Sequence, residues 1–201
     1  MIAIIDYDAG NMKSVEKALQ YIGEDAVITR DSKEIRSASK VVLPGVGSFG
    51  DAMQKLKKYQ LVETIHTVAK EDIPFLGICL GLQLMFSRSD ESVGAQGLDL
   101  LPGQILRIPS QAGLKIPHMG WNSIRIELGK KLFAGIEGEP YVYFVHSYYL
   151  KAADRNDVAA TTHYSVDIDA SVEHGNLFAC QFHPEKSGEV GLQILRNFAS
   201  L

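Results

Sequence analysis

With 201 residues, 46% hydrophobic and 22% charged, the chain is long enough for one well-packed core and too apolar for wholesale disorder. A formal charge of -4 and a pI near 5.9 leave no basic surplus to neutralise a phosphate backbone, which argues against nucleic acid as the main partner. The two cysteines, Cys79 and Cys180, make neither a disulfide framework nor a zinc signature, and no apolar run is long enough to cross a bilayer.

In chain order, "MIAIID" meets an aspartate after a few apolar residues and lacks a positive leader, so it reads as a strand and not as a signal peptide. A helix follows over Met12 to Ile22, with Val15, Leu19 and Ile22 on one face. "KVVL" reads as a second strand, Ala52 to Ala69 as a helix, and "PFLGI" as another strand. After Leu98 the texture changes to short strand candidates, "QILRIP", "GWNSIRIEL", "YVYFVHSYYL", "DVAATTHY", "DASVEHG" and "NLFACQFHP", separated by Gly, Pro, Asn and Asp. A helix over Glu189 to Ala199 closes the chain. The expected fold is α/β and doubly wound: a mainly parallel central sheet flanked by helices, with extra antiparallel strands in the C-terminal half. Residues 1–201 are expected to form a single cytoplasmic domain without metal, cofactor or membrane contact.

Three stretches could carry chemistry. Gly77-Ile78-Cys79-Leu80-Gly81 follows a strand and opens a helix, the setting in which a G-x-nucleophile-x-G elbow has mechanical meaning. Such a turn needs glycines two residues either side of the nucleophile, and it points the sulfur at a helix N-terminus, which favours thiolate. A core cysteine between packing glycines fits these residues equally well. In "QFHPEKS", His183 and Glu185 stand two apart on an extended stretch stiffened by Pro184, so their side chains project to one side as base and orienter. A surface His and Glu after a strand is the competing reading. Pro44 to Gly50, "PGVGSFG", contains G-x-G-x-x-G after a strand, the nucleotide-binding fingerprint. No acidic strand end lies about twenty residues on, and backbone N–H groups in such a turn suit an oxyanion as well as a phosphate, so the oxyanion reading is preferred. His118 and His146 lack the companion ligands of a zinc site, and Cys180 reads as inert core.

"PGVGSFG", "GICLGLQ" and "HPEKS", in this order, resemble the class I (triad-type) glutamine amidotransferases over essentially the whole chain. "DYDAGNMKSV", "KIPHMGWN" and "YFVHSYY" are similar to the branch of that family serving imidazole glycerol phosphate synthesis in histidine biosynthesis. The resemblance implies that Cys79 attacks the amide of L-glutamine to form a thioester, with His183 as acid and base and Glu185 orienting it. It implies an oxyanion hole from Leu80 N–H and the backbone of Val46 and Gly47, on a strand that must reorient to become competent. Gly45, Gln83, Glu91, Ser147 and Tyr148 are the implied substrate contacts. Asn11, Met119, Trp121, Tyr143 and Lys186 match interface or gate positions toward a barrel-shaped cyclase subunit that receives the ammonia in a heterodimer. Other readings are an anthranilate- or aminodeoxychorismate-type amidotransferase subunit, or a scaffold subunit without activity.

Overall fold

The computed structural model describes residues 1–201. The first half runs β1 (Ile2–Ile5), α1 (Met12–Tyr21), β2 (Ala26–Thr29), α2 (Ser32–Ser37), β3 (Lys40–Leu43), α3 (Phe49–Lys58), α4 (Leu61–Lys70), β4 (Phe75–Ile78) and α5 (Leu80–Leu84). The second half adds β5 (Gly103–Arg107), β6 (His118–Ser123), β7 (Arg125–Ile126), β8 (Tyr141–His146), β9 (Tyr148–Ala152), β10 (Val158–Tyr164), β11 (Val166–His174), β12 (Leu177–Cys180) and α6 (Gly188–Ala199).

One ten-stranded sheet has the order β2-β1-β3-β4-β12-β11-β10-β7, with β9 against β11 and β5 against β9. The pairs from β2 to β12 are parallel, and every pair beyond β12 is antiparallel. The expected doubly wound α/β architecture with added antiparallel strands is therefore what forms. Because β1, β3 and β4 are buried on both faces, their side chains alternate between two apolar layers. Ile2, Ile4, Val42, Leu76 and Ile78 pack with Val15 and Leu19 of α1 and Ile194 and Phe198 of α6. Ala3, Ile5, Val41, Leu43 and Phe75 pack on the other side with Ile35, Met53, Leu56 and Ile65 of α2, α3 and α4.

Several boundaries differ from the sequence reading. The helix expected over Ala52 to Ala69 is two helices, broken at Tyr59 and Gln60, where Gln60 takes φ +56°. The apolar period runs through the break because both helices bury Met53, Leu56, Leu61 and Ile65 in the same layer. β2 and α2, four and six residues long, were too short to show a period. α2 is nonetheless well capped: the Asp31 carboxylate accepts from Lys33 N–H at 2.7 Å and Glu34 N–H at 3.2 Å. "YVYFVHSYYL" divides at Ser147 into β8 and β9, which belong to different sheets. β6 and β8 form a separate two-stranded sheet, pairing Trp121 with Tyr143 and His118 with His146.

The strand order changes direction between β1 and β3. Loops leaving the C-terminal ends of β1, β3, β4 and β12 therefore converge at one crevice, the usual ligand position in open α/β sheets.

Candidate active site

Cys79 occupies that crevice between β4 and α5, with φ 55° and ψ -107°, a conformation costly for any residue other than glycine. The flanking glycines are steric necessities. A Cβ on Gly77 would lie 2.8 Å from the Gly81 carbonyl oxygen and the Met85 sulfur, and one on Gly81 would run into the Leu43 carbonyl oxygen. The turn is held from the neighbouring strand, since Cys79 N–H donates to the Cys180 carbonyl at 2.8 Å. Only 6% of Cys79 is exposed. Its Sγ lies 3.9 Å from the Val145 carbonyl oxygen and 3.7 Å from the Gln181 amide nitrogen.

His183 is brought beside this turn by β12, which runs parallel to β4. Its Nδ1–H donates to Glu185 Oε1 at 2.8 Å, both side chains fully buried. The extended stretch expected for this pair holds for His183 alone. Pro184 to Lys186 form one 3₁₀ turn with Pro184 at its first position, where a missing N–H costs nothing. In this turn Glu185 meets the ring of His183. His183 Nε2 makes no hydrogen bond. Burial by itself would lower the basicity of this imidazole, but the neighbouring Cys79 sulfur and the hydrogen-bonded Glu185 carboxylate outweigh it and raise the pKa to about 9. The ring is therefore poised to carry a proton next to the sulfur.

Asn11, expected at an interface or gate, lies against this pair: its amide donates to Glu185 Oε1 at 2.7 Å. It can do so because it takes φ 74° where the β1 loop enters α1.

Leu80 N–H, expected as an oxyanion donor, is engaged. It donates to the Gly45 carbonyl at 3.3 Å, so in this arrangement it is not free to meet an oxyanion. Val46 is 41% exposed and Gly47 sits at φ +105°, and neither makes a backbone hydrogen bond. That is the condition of a segment free to turn.

A cleft of about 300 Å³ opens over Cys79, lined by Val46, Gly47, Leu80, Gln83, Glu91, Ser147 and Tyr148 from the expected set. Gly45 does not line it; it lies behind, against Tyr7 and Leu80. Gln83 is buried, with its amide nitrogen on Tyr148 O and Gln181 Oε1, each at 3.1 Å. Glu91 accepts from Phe49 N–H at 2.7 Å at the start of α3.

The sequence reading did not assign Gln181 or His146 to the site. Gln181 is a fully buried amide in the apolar run "ACQFH", and that mismatch was the available signal. His146 lines the cleft and belongs to a chain of neutral imidazoles. Its Nδ1 bonds Tyr148 O at 2.8 Å, which assigns its Nε2 as acceptor for His118 Nδ1–H at 2.9 Å. Burial holds both below the ordinary histidine range, His146 to about 3 and His118 to about 4. Met119, Trp121 and Lys186 are exposed, and Trp121 meets the half-buried Tyr143 edge-on at 6.1 Å. Cys180 is fully buried, and burial pushes its thiol well above the usual range.

The family model described as glutamine amidotransferase class-I matches residues 3–200. A relative from Moorella thermoacetica, named imidazole glycerol phosphate synthase subunit HisH, is 51% identical across all of this chain and 94% of its own length. One of the same name from Methanothermobacter thermautotrophicus is 52% identical, covering all of this chain and 98% of the relative. Among solved structures, one titled crystal structure of glutamine amidotransferase superposes with TM-score 0.77 at 16% identity, covering 99% of this chain and 100% of the other. The structure of PurLQS from Thermotoga maritima gives TM-score 0.77 at 20% identity, covering 99% and 97%. At those identities the structural matches speak for the fold alone.

Proposed function

This chain belongs to the class-I glutamine amidotransferase family, and on that footing we propose that Cys79, His183 and Glu185 are the catalytic triad of its glutaminase chemistry. Its function is that of the glutaminase subunit of imidazole glycerol phosphate synthase, in histidine biosynthesis. The observation that carries the triad is the buried His183–Glu185 pair at 2.8 Å, with the other ring nitrogen unpaired beside the strained Cys79 turn.

Cys79 thiolate attacks the side-chain amide carbon of glutamine, and the carbonyl electron pair moves onto oxygen. Collapse of that adduct breaks the C–N bond, while His183 Nε2–H protonates the departing nitrogen and ammonia leaves. The neutral His183 then takes a proton from water, whose hydroxide attacks the thioester. A second collapse releases glutamate and restores the thiolate. Glu185 keeps Nδ1 protonated throughout, so that Nε2 is the nitrogen that exchanges protons. Val46, Gly47 and Leu80 hold the oxyanion once Gly45 has left Leu80 N–H. Gln83, Glu91 and the Ser147–Tyr148 backbone take the α-amino and carboxylate groups.

The exposed Met119 and Trp121, with Tyr143, Lys186 and Asn11 nearby, are assigned to the face that docks the cyclase subunit and passes ammonia to it. Direct passage suits the chemistry, because ammonia released into neutral water becomes ammonium and loses its nucleophilic lone pair. We assign residues 1–201 to one domain, since the site draws on β1, β3, β4 and β12, which lie from one end of the chain to the other. No helix is long and apolar enough to cross a membrane, and the cytoplasm is the compartment we assign.

The test is Cys79→Ala in a complex with the cyclase subunit. Glutamine-dependent turnover should vanish, while added ammonium salts still support the cyclase and association is kept. Retained glutamine-dependent turnover would remove Cys79 from the nucleophile's role.

A further inference from the structure

The segment after β3 is fastened twice. Gly45 carbonyl takes the Leu80 N–H, and one residue earlier the Pro44 carbonyl takes the Tyr7 hydroxyl at 2.9 Å. Tyr7 stands two residues beyond β1, is 1% exposed, and approaches so closely that a Cβ on Gly45 would collide with its hydroxyl. Burial, with Cys79 adding to it, pushes the Tyr7 phenol above its ordinary range, so the hydroxyl stays a donor.

Its mount is rigid. Asp6 and Asp8 on either side both pair with Arg30, the Asp8 side chain also takes the Tyr59 hydroxyl, and Lys55 Nζ donates to the Asp8 carbonyl at 2.9 Å. The next residues of the loop press on the same segment, a Cβ on Gly10 falling 2.8 Å from Val46 Cγ2. Downstream, Val46 and Gly47 have no backbone hydrogen bond at all. The segment is thus anchored at Pro44, shut at Gly45 and loose beyond.

We propose that the Tyr7 hydroxyl is a latch: its bond to the Pro44 carbonyl holds the segment closed over Leu80 N–H, and its release accompanies opening of the oxyanion site. The reason is geometric. Turning the Gly45–Val46 peptide off Leu80 changes ψ of Gly45 and φ of Val46; Val46 is unbonded, so the restraint lies on the Gly45 side, where the Tyr7 hydroxyl holds the Pro44–Gly45 peptide and packs against Gly45. Tyr7 is in this sense a positioning residue, acting through the oxyanion segment and not on substrate. The proposal rests on the glutaminase reading given above.

Tyr7→Phe keeps the ring in the core and removes the hydroxyl, leaving the Pro44 carbonyl without its buried donor in the closed arrangement. One buried hydrogen bond shifts a two-state equilibrium by roughly three- to tenfold. Glutamate formation is measured for wild type and Tyr7→Phe, each alone and in the complex with the cyclase subunit and its ribotide substrate. The expected result is a roughly three- to tenfold rise in kcat of the variant alone, with unchanged KM and unchanged turnover of the activated complex. Amide hydrogen exchange at Leu80, read without any turnover, should lose protection by the same factor. A purely structural hydroxyl would give no gain of activity. Unchanged or lower activity of the variant alone, or unaltered Leu80 protection, overturns the latch, as does lost turnover in the complex, which would make Tyr7 a support of the active form. Failure of the wild-type complex to hydrolyse glutamine would instead overturn the glutaminase reading beneath it.

Discussion

Replacing Glu185 with glutamine separates the charge of the orienting group from its shape. Glu185 Oε1 accepts from His183 Nδ1–H at 2.8 Å and from the Asn11 amide at 2.7 Å, and a glutamine oxygen can accept both in place. The other carboxylate oxygen is buried without a partner, so the new NH₂ group breaks no existing bond. What disappears is the negative charge. A hydrogen bond to a charged group contributes about 1.5–3 kcal/mol and a neutral one about 1 kcal/mol, so the imidazolium loses about 0.5–2 kcal/mol of support. That corresponds to a fall in kcat of roughly 2- to 30-fold in the activated complex, with KM for glutamine little changed, since Glu185 does not line the cleft. NMR titration of His183 should show its midpoint moving down from near 9. The sign for stability follows from the same linkage. A folded-state pKa of about 9 lies above the unfolded value of 6.5, so His183 stabilises the fold fully below about pH 6.5 and loses that contribution as pH rises through 9. In Glu185→Gln that pH-dependent increment should shrink in denaturation curves compared between pH 6.5 and 9.5. A loss of kcat under twofold, or an unmoved His183 midpoint, would refute the view that the carboxylate acts through its charge.

Gly81→Ala forces a Cβ into the Leu43 carbonyl, a backbone atom that cannot yield, and should destabilise the fold by at least about 2 kcal/mol in urea unfolding, with turnover lost alongside. Cys180→Ala removes a fully buried sulfur from an apolar layer, and should cost about 1 kcal/mol of stability while kcat stays within about twofold. Trp121→Ala takes away a side chain that is 55% exposed, so the melting temperature of the free subunit should hold while affinity for the cyclase subunit falls at least tenfold by calorimetry.

Elements whose signal is local were legible in the residues alone. β1, β3 and β4 are apolar runs ended by turn residues, and α1 and α6 show one apolar stripe each. The tight turn at Cys79 between Gly77 and Gly81, and the contact of His183 with Glu185 across Pro184, were readable because both are short-range patterns. Tertiary structure decided what depends on residues far apart in the chain. That β12 lies parallel to β4, bringing His183 across about a hundred positions to Cys79, is a matter of strand pairing, which no window of sequence reports. The same holds for the closed state of Leu80 N–H, for Asn11 on Glu185 and for Tyr7 on Pro44, contacts made where the loops of β1, β3 and β12 converge. Local torsions set by side-chain type can be read one residue at a time. Which carbonyl meets which donor depends on the packing of the whole sheet, and that packing sets His183 beside the Cys79 turn while the Gly45 carbonyl takes the Leu80 N–H.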